Sequence, residues 1–330
     1  MAALGLLGGE GAARRRAAAP WEGEGPGAPP PGAPVRALGR VRGALPALGA
    51  VLLEVAQGLH RGRVAAAGGG GGPLLLVDAA DGPAGASLLH SLGPGDWCLV
   101  LGDVADEEPS WDRVPKGLRP PDPGGDAQQG PPARLVARVL RCANGLDVGL
   151  YLRAAACARR HASDLAEPDL VRKWAARGHH VLTSAAEVRA AVLGATEHPP
   201  GAFLVELAGT VVDMELKLHG SGGGFRAWTL DDGMATGRRD GDGLMICMLW
   251  KENAPGGNLE AIPLRVGDIV RVRGKASVFR GYPQVQVFQL CREPPLTETT
   301  AEAKHWVQVH LARRGVLVGV PRAVEAGQLR

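Results

Sequence analysis

Arg271, Arg273 and Lys275 alternate along the stretch "GDIVRVRGK", with Val270 and Val272 between them. Side chains of an extended strand point to opposite faces in turn, so the cations share one face and the valines the other. From Arg265 to Arg292 there are six basic residues (Arg265, Arg271, Arg273, Lys275, Arg280 and Arg292) against the single acid Asp268, a local balance of +5. Lys251 stands shortly before this stretch, and Trp228, Trp250, Phe279, Tyr282 and Phe288 are interleaved with it. Cations that neutralise backbone phosphates, set among rings on which bases stack for about 1–3 kcal/mol each, are the chemistry of single-stranded nucleic-acid binding. The competing reading is a solvated basic edge with the tryptophans in a core. The sequence alone leaves Trp228 and Trp250 open between stacking and core.

Other candidates are weaker. Asp231, Asp232, Asp240 and Asp242 bracket the loop "DDGMATGRRDGDG" and could together hold a divalent cation. Arg238 and Arg239 intervene, so a solvated hairpin loop is the better reading. Gly68 to Gly72 form a glycine run, but no Gly-Lys-Ser/Thr follows and no phosphate loop is expected. His179-His180 has no metal-spaced partner. Cys98, Cys142, Cys157, Cys247 and Cys291 form no C-x-x-C pair; we expect free, mostly buried thiols and no metal or other cofactor. No nucleophile–base signature is present, and an enzyme is not expected. The net charge is only +3, so any case for nucleic acid must be local. No apolar run approaches the length of a membrane span, and Arg14 to Arg16 follow a short apolar stretch in the wrong order for a secretory signal.

The elements that must hold the basic strand are legible as a repeat. "GDWCLVLG" (Gly95 to Gly102) has the same frame as "GDIVRVRG" (Gly267 to Gly274), with Leu99 and Leu101 where the second copy has Arg271 and Arg273. Strand patterns surround both copies in the same order, and each set ends in a helix. The pattern predicts a mainly β chain with terminal helices: two OB-folds, five-stranded Greek-key barrels whose fourth strands are the two repeats. The organisation expected is a disordered tail over 1–34, a first barrel over 35–161 with a mobile Pro/Gly insertion at 105–132, and a helical connector over 162–202. A second barrel with its C-terminal helix follows over 203–317, then a tail over 318–330. The helices carry apolar stripes, Leu146, Leu150, Ala154 and Cys157 in the first and Ala303, Trp306, Val307 and His310 in the second, expected to pair with each other.

The second unit's "AGTVVDMELK", "FRAWTLDDGMATG", "ICMLWK", "LRVGDIVRVRGKASVFRGYPQVQV" and "AEAKHWVQVHL" resemble the OB-fold of the Stn subunit of the telomere-capping CST complex. The first unit's "VRALGRV", "GDWCLVLGDV" and "ARLVARVLRCANGLDVGLYLRAAACARRH" resemble the small Ten subunit. The resemblance implies a natural Ten–Stn fusion whose barrels pair intramolecularly through their helices. It also implies binding of single-stranded telomeric DNA, a large OB-rich CST subunit and DNA polymerase α–primase as partners, and a nuclear, chromosomal location. The family's stacking Trp falls on Trp250, its basic strand on Arg271 and Arg273, and its hairpin aromatic on Tyr282. Animal and fungal Stn proteins continue into winged-helix domains with no expected counterpart before Arg330. A replication-protein-A-like general single-strand binder and a protein-interaction scaffold are the alternatives. On the fusion reading the second barrel holds the DNA, while Trp97, Leu99 and Leu101 suit the first for protein contact.

Overall fold

The computed structural model describes residues 19–20, 34–56, 74–79, 88–105, 111–119, 133–163, 180–193, 203–218, 223–234, 243–294 and 298–313. The chain divides into two compact units, Ala18–Leu152 and, in its main part, Arg153–Arg330.

The first unit is built from β1 (Ala19–Pro20), β2 (Pro34–Leu45), β3 (Ala50–Val55), β4 (Leu74–Asp78), β5 (Trp97–Val104) and β6 (Ala133–Cys142). The sheet order is β1-β2-β3-β4-β6-β5, and β5 pairs back onto β2. β4 and β6 run parallel; β2–β3, β3–β4, β5–β6 and β2–β5 are antiparallel. Counting from β2, the five strands close in the order 1-2-3-5-4-1, the Greek-key barrel of the OB-fold. Alternate residues point inward: Val51, Leu53 and Val55 of β3, Leu75 and Val77 of β4, and Cys98 and Val100 of β5 form the core.

The second unit repeats this plan. Before its barrel come β7 (Val181–Leu182) and a helix, Ala185–Leu193; the barrel is β8 (Phe203–Leu218), β9 (Gly224–Asp231), β10 (Leu244–Trp250), β11 (Ile269–Phe279) and β12 (Tyr282–Arg292). The order is β11-β12-β10-β9-β8-β7, with β11 closing onto β8. Trp228, Leu230, Met245, Cys247, Leu249, Val270 and Val272 fill the interior. We number the helices α1 (Val148–Ser163), α2 (Ala185–Leu193) and α3 (Glu298–Arg313).

The repeated Gly-Asp frame is one turn built twice. Gly95 and Gly267 take φ of 94° and 95°, the left-handed region that favours glycine. Asp96 accepts the Gly93 N–H at 2.7 Å, and Asp268 accepts the Arg265 N–H at 2.8 Å. Each turn then exchanges backbone bonds with a valine of the first barrel strand: Val41 with Gly95 and Asp96, Val211 with Gly267 and Asp268. The closing glycine of the frame also has one cause in both units. The ladder slips at Leu101/Gly102 and at Arg273/Gly274. A Cβ at Gly102 would collide with the Val136 carbonyl, and one at Gly274 with that of Gln286. This close approach lets the fourth strand bend between the two strands it closes.

Several expectations change. Residues 181–193 lie in the range read as a connector, yet β7 pairs with Val205 and Glu206 of β8, and Val188, Ala191 and Val192 sit in the second core. The signal was present as Ser184-x-x-Glu187. Glu187 N–H donates to Ser184 Oγ and Ser184 N–H to Glu187 Oε2, a capping box that starts α2. The insertion 105–132, read as mobile, contains two short 3-10 turns, Trp111–Arg113 and Lys116–Leu118, with Val114 buried between them. Within the expected tail, Ala19 and Pro20 pair with Val35 and Arg36. The stretch 57–73, the loop 235–242 with Arg238, Arg239, Asp240 and Asp242, and His179 lie outside the described residues.

The helix stripes are also offset. α1 buries Tyr151, Ala154, Ala155 and Ala158, while Leu150 is 45% exposed and Leu146 and Cys157 are half-buried. α3 buries Ala301, Glu302, Ala303, His305, Trp306, Val309 and Ala312, leaving Val307 and His310 half-buried. Trp306 is held by its own barrel, donating Nε1–H to the Asp232 carbonyl at 2.6 Å. Leu99 and Leu101, expected as an outward contact face, are both fully buried. All five cysteines are free; Cys98 and Cys247 are buried, and Cys142 and Cys291 are exposed. No described helix is long and apolar enough to cross a membrane.

Candidate nucleic-acid interface

The outer face of the second barrel can be read as rows of register partners, whose side chains share a face. One row is Lys217 on β8, Phe225 on β9 and Trp250 on β10. The next is Glu215, Ala227, Met248, Gln286 on β12 and Lys275 on β11. A third is Asp213, Thr229, Ile246, Gln284 and Ser277. Phe225, Ala227 and Met248 are a buried apolar floor against which Ile246 and Trp250 pack. The half-buried Trp250 ring stands 5.2 Å from that of Phe225, tilted by 60°. Lys275 is exposed, and Lys251, next to Trp250, opens a short 3-10 turn at the end of β10.

The β11–β12 hairpin projects from this surface. Phe279 pairs with Tyr282, leaving the two-residue turn Arg280-Gly281 with φ of 49° and 83°. Both central residues at positive φ make this the tight turn whose twist matches the strands, and Arg280 occupies a conformation that Asn or Gly would take more readily. The Arg280 guanidinium lies 5.4 Å from the centre of the Phe279 ring, and Tyr282 is 44% exposed. The tip therefore combines a cation with two aromatic rings. Phe288, 43% exposed, falls at the slip in the β12 ladder.

Trp228 leaves the candidate set. It is 2% exposed and points into the barrel with Leu230, because β9 positions 226, 228 and 230 face inward. Arg226 shares that parity and closes the barrel end, donating to the carbonyls of Leu259, Ile262 and Leu264. Burial lowers the Arg226 pKa, and these three acceptors hold its charge.

Arg271 and Arg273 differ most from expectation. They share the outward parity of Lys275, but both are committed to Glu206, which stands opposite Arg273 on β8. Arg271 Nη1 lies 2.7 Å from Glu206 Oε1 and Arg273 Nε 2.6 Å from Oε2; Arg271 Nε also lies 3.6 Å from Glu293. Two arginines and two carboxylates cancel, so this half of the strand is not a net cationic surface. Burial pushes the Glu206 carboxyl up, but the hydrogen bonds and charges of Arg271 and Arg273 outweigh it and hold it below its ordinary value. Arg292 is likewise paired, with Asp268 at 2.9 Å. Arg265, Lys275, Arg280 and Arg292 are the exposed cations of the stretch, and Arg292 is the one among them held by Asp268.

The ionic cluster continues into a polar layer under α3. His305 is fully buried there, and Thr210 Oγ1 bonds Glu302 Oε1 at 3.2 Å. Burial pushes the His305 imidazole down to about 3, the charge of Arg271 adds to the fall, and Glu206, the Thr183 backbone and Glu187 oppose it. His305 is therefore neutral at pH 7.

Asp231 and Asp232 are structural. Both are fully buried. Asp231 accepts the Gly233 N–H; Asp232 accepts those of Met234 and of Ala185 at the start of α2. A carboxylate whose oxygens are taken by backbone donors is not available to a cation, and no cluster of metal-ligating side chains occurs among the described residues.

No protein-family profile and no curated protein matches this chain. Among solved structures it is similar to the Schizosaccharomyces pombe Stn1–Ten1 complex (16% identity, 36% of this chain and 83% of that one, TM-score 0.29). It is also similar to yeast Stn1 and Ten1 (16% identity, 38% and 63%, TM-score 0.26) and to a replication protein A heterotrimer bound to single-stranded DNA (16%, 33% and 73%, TM-score 0.24). The OB-fold rests on strand order and barrel closure in both units.

Proposed function

We propose that this chain is a non-enzymatic single-stranded nucleic-acid-binding protein with two OB barrels. We assign it the telomeric role that its Ten-like and Stn-like motifs imply. It binds single-stranded telomeric DNA in the nucleus, joins a large OB-rich subunit and assists polymerase α–primase in filling in the C-rich strand. The observation that carries the binding reading is the row Lys217–Phe225–Trp250 beside Met248–Gln286–Lys275, flanked by the exposed Arg280–Tyr282 tip. It sets the half-buried Trp250 ring beside the exposed Lys275 and the Gln286 amide on one face of the sheet, while Lys217 is paired with Glu215 at 3.1 Å.

The test is titration with fluorescent single-stranded and duplex oligonucleotides at several salt concentrations. The proposal expects single-strand preference and affinity that falls steeply with salt. Equal duplex binding, or none at low salt, sinks it. Recovery of an OB-rich protein together with primase on the tagged chain tests the telomeric assignment separately. A scaffold that binds only proteins is the second reading, favoured by the neutralisation of Arg271 and Arg273 by Glu206 and Glu293.

A further inference from the structure

In the first barrel the face corresponding to the Phe225–Ala227–Met248 floor is already filled. Val51, Leu53 and Val55 of β3 point inward with Leu75 and Val77 of β4, so Ala50, Leu52 and Leu76 form the outer face. Ala50 and Leu76 cluster with Leu45 and Val114, and Leu48, Trp111 and Leu118 pack against them. Leu118 rests on β2 at Gly43, where a Cβ would meet its Cδ1 at 2.5 Å. Gly43 is the register partner of Leu52, which is fully buried. The segment from Trp111 to Arg119 is thus seated across β2, β3 and β4, the strands that correspond by topology to β8, β9 and β10.

The segment is built to hold that shape. Backbone bonds Val114 N–H to Trp111 O and Leu118 N–H to Pro115 O close its two turns. Arg119 folds back and donates Nε–H to Val114 O and Nη2–H to Asp112 O, both at 2.8 Å. Trp111, Val114 and Leu118 consequently project together, while Asp112, Arg113 and Lys116 stay exposed.

We infer that residues 111–119 are a built-in occupant of the first barrel's outer face, a peptide strap that closes this barrel to nucleic acid and leaves single-strand binding to the second. The occupancy stands on packing alone; the exclusion rests on the single-strand reading proposed above. The face accepts a short peptide with an aromatic residue, a branched residue three positions on and a leucine four further.

Two measurements on the full chain separate these parts. First, residues 111–119 are replaced by nine Gly/Ser residues, and a labelled peptide of residues 109–120 is titrated in. The strap-replaced chain should bind it, a peptide carrying Leu118→Asp should not, and the intact chain should bind about tenfold or more weakly. That last effect is expected of a tethered competitor at an effective concentration on the order of 1 mM. No binding to the replaced chain, or equal binding to both, overturns the occupancy. If the replaced chain does not fold, Gly43→Val, whose Cβ meets Leu118 first, should speed hydrogen exchange at the Val114 and Leu118 amides; unchanged exchange overturns it. Second, an iododeoxyuridine single-stranded oligonucleotide is photo-cross-linked to the intact chain. Adducts should map to 203–292, and strap replacement should add adducts on β3 or β4. Adducts on β3, β4 or the strap of the intact chain overturn the exclusion. An intact chain without adducts removes the exclusion together with the reading beneath it, while the peptide titration still decides the occupancy.

Discussion

Glu206 and Arg273 face each other across β8 and β11, and the same carboxylate that takes Arg273 Nε at 2.6 Å takes Arg271 Nη1 at 2.7 Å. The acid is 1% exposed. A buried acid paired with two partly buried arginines ties the first barrel strand to the fourth. Glu206→Gln should leave Arg271 and Arg273 short of a countercharge and destabilise the second unit by about 3 kcal/mol in urea denaturation. A loss below the error of the measurement would remove the pair's structural role.

The same pairing separates Arg273 from Lys275 in ligand binding. Removing one cation that neutralises a phosphate of a single strand flattens the plot of log affinity against log salt by about 0.7. Lys275→Gln should show that change with stability intact. Arg273→Gln should lower stability and leave the salt slope near that of the parent protein. The reverse pattern would restore Arg273 as the phosphate ligand.

Acidification should loosen α3. The His305 pKa is near 3 in the folded chain and ordinarily about 6.5, so the unfolded chain takes up the proton first. Stability is complete above the unfolded value and falls as pH drops from about 6.5 toward 3, by up to roughly 1.4 kcal/mol per pH unit. Arg271, Glu206 and Glu187 are the charged groups coupled to the ring. The lowered Glu206 carboxyl adds a fall of the same sign at the acid end. Denaturant midpoints at pH 4, 5 and 7 should diverge for the parent protein and lie closer together for His305→Leu, with the Glu206 contribution remaining.

Arg280 sets local strain against binding. Its φ of 49° costs a non-glycine residue about 1 kcal/mol, so Arg280→Gly should stabilise the hairpin by roughly that amount in thermal unfolding. The same change removes the cation beside Phe279 and should weaken binding to a single-stranded oligonucleotide. Trp250→Ala should cost about 1–3 kcal/mol of that affinity.

Asp232→Ala should destabilise the second unit by about 2–3 kcal/mol, because the buried N–H groups of Ala185 and Met234 would be left without an acceptor. Magnesium should leave the unfolding temperature of the parent protein unchanged. A rise on adding the ion would return the aspartate pair to the metal-site candidates.

The sequence by itself determined the two barrels. Inward alternation, the Gly-Asp turn and the closing glycine are local requirements of backbone and strand parity, and they read directly from "GDWCLVLG" and "GDIVRVRG". It determined the parity of Arg271, Arg273 and Lys275 for the same reason. Tertiary structure decided what those side chains meet. Glu206 lies 65 residues before Arg271, and only barrel closure brings them together. The register of β9 settled Trp228 as core, and β10 left Trp250 half-buried beside Phe225. The burial of Glu302 and His305 turned α3 away from its apolar stripe, since polar groups enter a core when partners from distant strands or the loss of their charge make burial tolerable. The seat of Trp111, Val114 and Leu118 on β2, β3 and β4 had no local signal at all. Nothing within "WDRVPKGLR" specifies the sheet face it covers; that match exists only once both are folded.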